Sequence, residues 1–151
     1  EPGAGMPKQW YATLRKAGQA EKVMFISADD GRHVTFGEVE ELSNRVAQWA
    51  LAQGLKPGDS VALMMDNRPE YMPVWLGLAK VRVIASLINT NTKGKPLIHA
   101  ITIASCKYAI FGTEHAAVGS EVAGDLRNSG VASIWSFGLG SPAVIAKPDF
   151  C

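Results

Sequence analysis

The stretch VTFGEVEELSNRVAQWALAQGLKPGDSVALMMDNRPEYMPVWLGLAKVRVIASLINTNT, Val34 to Thr92, decides the fold. It alternates helix, strand, helix, strand, with a turn signal at each joint. Thr35 followed by Glu38 makes a capping box: the hydroxyl accepts from an orphan amide of the first turn and the glutamate reaches back to the cap amide. Val39, Leu42, Val46, Trp49 and Ala50 then recur at helical spacing, which predicts a helix over Phe36 to Gln53 with one apolar face. Its opposite side, Glu40, Glu41, Asn44 and Gln48, reads as a solvated polar face. Gly54 stands where this helix ends, and Pro57, Gly58 and Asp59 turn the chain. Ser60 to Met65 is a short, nearly all-apolar strand, as in a sheet covered on both faces. Pro69 and Glu70 fit the first turn of a second helix, lined by Tyr71, Trp75, Leu78 and Ala79. Val83 to Ile88 reads as a second buried strand.

Outward from this stretch the same grammar continues. Pro7 to Lys16 is a short helix with Trp10, Tyr11 and Leu14 on one side. Lys22 to Val34 is a β-hairpin that turns at Asp29, Asp30 and Gly31. On the other side, Lys95 and Pro96 open a helix carrying Leu97, Ile98, Ile101 and Ile103. Lys107 to Phe111 is a third strand that Gly112 ends. Thr113 is placed to cap a helix from Glu114 to Gly124, interrupted at Gly119, with Asp125 to Ser129 as a separate helical turn. Val131 to Phe137 is a fourth strand-like run, and Gly138 to Pro142 a turn cluster. Buried strands alternating with helices imply an α/β fold: a mostly parallel sheet with covering helices plus an N-terminal β-hairpin.

Composition narrows the class. The 151 residues suffice for one domain with a real core. The apolar fraction of 47% and charged fraction of 19% are those of a globular protein slightly on the apolar side. A net charge of +1 leaves no concentrated basic surface, so no nucleic-acid partner is expected. Tyr71 to Ala79, the longest strongly apolar run, is too short to span a bilayer, and no signal peptide is legible. The expected location is cytoplasmic or peripheral to an intracellular membrane. Cys106 and Cys151 are too few for a disulfide framework, and Cys106 reads as a small buried hydrophobe. Glu1 to Gly5 is no natural start, and the chain halts at Pro148 to Cys151 without a recognisable stop. Both ends point to a piece of something larger.

Functional signals are sparse. Asp66 to Glu70 lies beyond the carboxyl end of one strand, where open α/β sheets hold ligands. Three roles stand open there: Asn67 as a helix cap, direct ligand contact, and a domain-interface contact by an exposed Arg68. Asn89 to Gly94 occupies the equivalent place after the next strand, either as a crevice wall or as a loop bonded to its own backbone. His33, His99 and His115 have no ligand or catalytic partner at readable spacing, so no metal site is expected. The carboxylate pairs Asp29/Asp30 and Glu40/Glu41 read as turn chemistry and a solvated face, with no reason for a shifted pKa. There is no G-x-x-x-x-G-K-[ST] loop, no G-x-G-x-x-G after a strand and no G-x-S-x-G elbow. No catalytic, cofactor-binding or metal residue is assigned. Arg82 is unusual, because a charged residue stands where the chain turns from helix to strand without a glycine.

Taken together, three blocks resemble the adenylate-forming superfamily, in the branch of the fatty acid transport proteins and very-long-chain acyl-CoA synthetases. Val34 to Val39 resembles its "T-Y/F-x-E-L" segment. GLKPGDSVALMMDNRPEY, from Gly54, resembles its "G-x-x-x-G-D-x-V-A" strand and the "N-x-x-E" that follows. LGLAKVRVIASLINTNTKGKPLIHAI, from Leu76, resembles the branch's "L-G-x-A-K-x-G", apolar strand, "N-x-N" and "L-x-H". The resemblance spans roughly residues 22 to 135, and Arg82 departs from the family's usual glycine.

The resemblance implies an incomplete part of the large N-terminal domain of an acyl-CoA synthetase-like fold over residues 22–151, with residues 1–21 an N-terminal extension. It implies that the complete enzyme uses ATP and Mg²⁺ to adenylate a fatty acid and then passes the acyl group to coenzyme A. The family's phosphate loop, adenine segment, ribose-binding aspartate and catalytic lysine are not in these residues. The stretch alone is therefore expected to be inactive and to bind none of these cofactors. Its expected partners are the remainder of the large domain, the C-terminal domain and a fatty acid, with a second copy and a membrane surface left open. The competing reading is a non-catalytic α/β binding or interaction module, a truncated product in one form.

Overall fold

The computed structural model describes residues 6–16 and 18–138. The turn residues after Gly138, and Cys151 with the other terminal residues, lie outside that range. In chain order the elements are α1 (Met6–Leu14), β1 (Val23–Ile26), β2 (His33–Thr35), α2 (Phe36–Ala52), β3 (Ser60–Met64), α3 (Tyr71–Lys80), β4 (Ile84–Leu87), α4 (Gly94–Ile103), β5 (Tyr108–Gly112), α5 (Ala116–Asn128) and β6 (Ser133–Phe137). A 3-10 turn, Thr113–His115, precedes α5. The expected α/β architecture is present: β4-β3-β5-β6 form a parallel sheet, and β1-β2 an antiparallel hairpin. Among the described residues no helix is long and apolar enough to cross a membrane. The chain divides into two compact units, one from Glu1–Leu55 and Arg68–Arg82, the other from Lys56–Asn67 and Val83–Cys151.

In the first unit the capping box of α2 is complete. Thr35 Oγ1 accepts from the Glu38 amide at 3.2 Å, and Glu38 Oε2 accepts from the Thr35 amide at 2.7 Å. The helix closes as a Schellman motif: Gly54, at φ +81°, donates to the Leu51 carbonyl and Leu55 to that of Ala50. Its buried side differs from the expected one. Leu42 and Trp49 are half-buried, whereas Ser43, Ala47, Val39, Val46 and Ala50 are buried. Small residues are there because α3 approaches closely. A Cβ on Gly77 would lie 2.6 Å from the Ser43 carbonyl oxygen and 2.6 Å from Val46 Cβ. Trp10, Val34, Val39 and Leu76 form the core, with the Trp10 ring stacked 5.7 Å from Phe36.

The polar side of α2 is also not simply solvated. Glu40 Oε2 accepts from Trp10 Nε1 at 2.5 Å and from Lys80 Nζ at 2.6 Å, while its Oε1 accepts from Asn44. Lys80, 5% exposed, donates also to Ser43 Oγ and Asn44 Oδ1, both at 2.8 Å. One carboxylate thus ties α1, α2 and α3 together. The following joint is strained: Arg82 sits at φ +61°, in the left-handed region that favours glycine.

In the second unit, alternate residues of the strands (Ala62 and Met64, Ala109 and Phe111, Ile134) pack with Leu97 and Ile101 of α4 and Val122 and Leu126 of α5. Val61, Leu63, Ile110 and Trp135 are buried as well, so β3, β5 and β6 are non-alternating, as expected. β4 departs from expectation. It is the edge strand, and Ile84 and Leu87 are 55% and 47% exposed. α5 is one continuous helix instead of two pieces, because Gly119 leaves space for the Phe111 ring, which a Cβ there would meet at 2.9 Å. Thr113 does not cap it. The 3-10 turn intervenes, and His115 is the residue at the helix start, without a side-chain cap bond.

Candidate functional site

The parallel register places the ends of β3 and β5 side by side, Met64 opposite Phe111. Beyond those ends, the edge where open α/β sheets hold ligands gathers Asp66, Glu114 and His115. His115 Nε2 lies 2.7 Å from Asp66 Oδ1. Glu114 Oε1 accepts from the Asp66 backbone amide at 2.8 Å and stands 4.0 Å from His115 Nε2. Gly112 makes this possible. A Cβ there would fall 2.2 Å from Glu114 Oε1, so a side chain at that position would push the carboxylate off the Asp66 amide. Asp66, Glu114 and His115 offer ligand atoms within 4.8 Å of one another.

This grouping brings together two residues that the sequence leaves apart. Asp66 belongs to a recognised candidate stretch, but His115 has no readable partner because 49 residues separate them. Only the register of β3 against β5 pairs them. Chemically, a carboxylate-oriented imidazole can move a proton. Two carboxylates and one imidazole repel rather than cradle a triphosphate, so no step through ATP is derived from these residues. Mg²⁺ prefers oxygen donors with several retained waters, for which the imidazole is a poor ligand.

The other sequence candidates fall elsewhere. Asn67 is exposed and does not cap α3, whose N-cap is Glu70, without a side-chain bond. The helix starts at Tyr71, later than Pro69, because a turn closed by the Tyr71 amide and the Arg68 carbonyl precedes it. Arg68 is not the exposed contact expected. Its side chain is 5% exposed, with Nε 3.8 Å from Glu70 Oε2. The loop after β4 holds itself: Asn89 Oδ1 accepts from the Asn91 amide at 2.9 Å, and the Asn89 carbonyl from the Thr92 amide at 3.0 Å. His33 and His99 are exposed. Cys106 is buried, and burial pushes its thiol up, away from reactivity.

Both carboxylate pairs carry a shift that the sequence does not reveal. Bonds from Ser27 and then from the Arg32 amide hold Asp30 below the usual carboxylate range. For Glu40, burial pushes the carboxyl up, but the bonds from Lys80, Trp10 and Asn44 outweigh it and the net direction is down.

The sequence model of the AMP-binding enzyme family matches residues 12–137. Among curated relatives, the long-chain fatty acid transport protein 1 of Rattus norvegicus is 36% identical over 127 residues, 84% of this chain. The chain spans only 19% of that relative's length. Among solved structures, an anthranilate CoA ligase in complex with anthranoyl-AMP superposes with a TM-score of 0.76 at 21% identity, over 87% of this chain and 24% of that one. A long-chain-fatty-acid-CoA ligase from Archaeoglobus fulgidus gives 0.76 at 20% identity, over 87% and 27%. At such identities the superpositions speak to the fold alone.

Proposed function

The chain belongs to the AMP-binding enzyme family, and on that premise we propose that it works as part of an ATP-dependent long-chain or very-long-chain fatty acid:CoA ligase of the fatty acid transport protein type. The observation that carries this reading is the 36% identity to a long-chain fatty acid transport protein over 84% of the chain. In the proposed reaction the fatty acid carboxylate attacks the α-phosphorus of ATP and pyrophosphate leaves. The coenzyme A thiol then attacks the acyl carbon and AMP leaves. A carboxylate is a poor acyl donor, and the phosphoanhydride supplies the leaving group that makes thioester formation feasible.

In this reading residues 22–151 contribute part of the large domain's sheet, and the reacting groups come from the remainder of that domain and the C-terminal domain. Peripheral attachment to an intracellular membrane belongs to the same proposal. The test is ATP–pyrophosphate exchange in the complete protein and in the 151-residue chain. Oleate-dependent exchange is expected in the first and none in the second. A complete protein that exchanges nothing with any fatty acid would leave the binding-module reading standing.

A further inference from the structure

We propose that Asp66, Glu114 and His115 form a zinc site at the carboxyl ends of β3 and β5, taking one Zn²⁺ through two carboxylates and one imidazole nitrogen. All three donors belong to the same compact unit, so the set is complete within this chain whatever surrounds it. Asp66 follows β3, Glu114 and His115 lie in the 3-10 turn after β5, and their ligand atoms are within 4.8 Å of one another.

Zn–N and Zn–O bonds of about 2.0–2.2 Å place neighbouring tetrahedral ligands about 3.3 Å apart. His115 Nε2 stands 2.7 Å from Asp66 Oδ1 and 4.0 Å from Glu114 Oε1. One gap must open and the other close, each by about 0.6–0.7 Å. The Asp66 side chain, 56% exposed, has room for that adjustment.

The donors are also held in place, which separates them from acids that merely share a surface. Glu114 Oε1 accepts from the Asp66 backbone amide at 2.8 Å, the kind of outer hydrogen bond that orients a ligating carboxylate. Gly112, at φ −58° and ψ 151°, has a backbone conformation open to any residue. What its missing side chain spares is the carboxylate: a Cβ would fall 2.2 Å from Glu114 Oε1 and 2.4 Å from Oε2. His115 heads α5 without a side-chain bond to its backbone, and the ring turns to Asp66 instead.

The donor set selects the ion. Imidazole disfavours Mg²⁺ and Ca²⁺, which take oxygen ligands. Zn²⁺ accepts mixed imidazole and carboxylate donors, imposes no d-electron geometry on an irregular set, and can keep a fourth position for water. The positive end of α5, roughly half an elementary charge, opposes a cation here. Two carboxylates cancel the ion's charge in full and outweigh it.

The site does not depend on the ligase reading, and its test uses the 151-residue chain without a histidine tag. Calorimetric titration of the metal-free chain with zinc chloride is expected to show saturable binding of one ion per chain. Asp66→Asn, Glu114→Gln and His115→Ala are each expected to weaken it by about tenfold or more, at least the cost of losing an outer hydrogen bond to a ligand. Glu114→Gln keeps an oxygen for the Asp66 amide, so unchanged circular dichroism separates lost ligation from lost fold. Replacing both exposed histidines, His33→Ala with His99→Ala, should leave the affinity unchanged. Co²⁺ in place of Zn²⁺ should give visible d–d bands without the near-ultraviolet thiolate band that Cys106 or Cys151 would add. No saturable binding overturns the proposal. So does binding that survives Asp66→Asn and His115→Ala, that disappears with His33 and His99, or that carries the thiolate band.

Discussion

Arg82 holds a backbone conformation, φ +61°, in which an L-residue is disfavoured by about 1–2 kcal/mol and glycine is not. Its side chain is exposed, so no packing offsets that cost. Arg82→Gly is expected to raise stability by about 1 kcal/mol, less than the full relief because glycine gives the unfolded chain more freedom. A urea midpoint that is unchanged or lower would refute the strain. Glu40 is the opposite case, a residue whose environment is favourable and whose loss is costly. Glu40→Gln leaves the Lys80 ammonium, 5% exposed, without its counter-charge, and is expected to destabilise by about 2 kcal/mol. The pH dependence has a definite sign. The folded carboxyl titrates below its unfolded value, so its stabilisation is present above the unfolded pKa and disappears as pH falls through the folded one. Urea titrations on the acid side of neutrality should therefore show a steeper loss of stability in the parent than in Glu40→Gln. Parallel slopes would count against the network. Arg82 was legible from sequence, since a helix-to-strand joint without glycine is a local signal. Glu40 was not, because its partners Trp10 and Lys80 lie 30 and 40 residues away.

Two helical glycines separate packing from propensity at the scale of elements. Gly77 in α3 faces α2 so closely that a Cβ would stand 2.6 Å from the Ser43 carbonyl oxygen, and neither backbone can yield cheaply. Gly77→Ala is expected to cost about 2 kcal/mol, within the range of core overpacking. Gly124 in α5 has nothing within 4 Å of the same position. Gly124→Ala is expected to stabilise by about 0.5–1 kcal/mol, the difference in helix propensity. Thermal midpoints moving in opposite directions confirm the contrast, whereas a shared direction breaks it. The existence of these helices could be read locally, from the Thr35–Glu38 box, the stop at Gly54 and the apolar spacing. Which face each buries could not, because Ser43 and Ala47 are selected by a neighbouring helix and not by hydrophobicity. The same limit explains β4. An apolar strand looks alike at the centre and the edge of a sheet, and only strand order exposes Ile84 and Leu87.

At the scale of the whole molecule, the order of strands and helices was legible because each element announces itself within a dozen residues. The pairing of Asp66 with His115 was hidden, since it depends on β3 and β5 lying side by side although α3, β4 and α4 intervene in the chain. Discontinuity also governs folding. The first compact unit takes Arg68–Arg82 back from beyond β3, and that return supplies Leu76 to its core, Gly77 to the α2 contact and Lys80 to Glu40. Residues 1–55 alone would keep Trp10, Val34 and Val39 but leave them open to water where Leu76 belongs. Removing a large buried side chain typically costs several kcal/mol, a large share of what a unit of this size has available. The isolated 1–55 segment is therefore expected to lack a cooperative thermal transition and a fixed near-ultraviolet signal from Trp10 and Trp49. Adding a peptide spanning Arg68–Arg82 in trans should restore part of both, since it carries the missing hydrophobe and the missing cation together. If 1–55 melts cooperatively without that peptide, α3 is a passenger of the unit instead of one of its walls, and the Glu40–Lys80 pair would have to be judged a surface decoration.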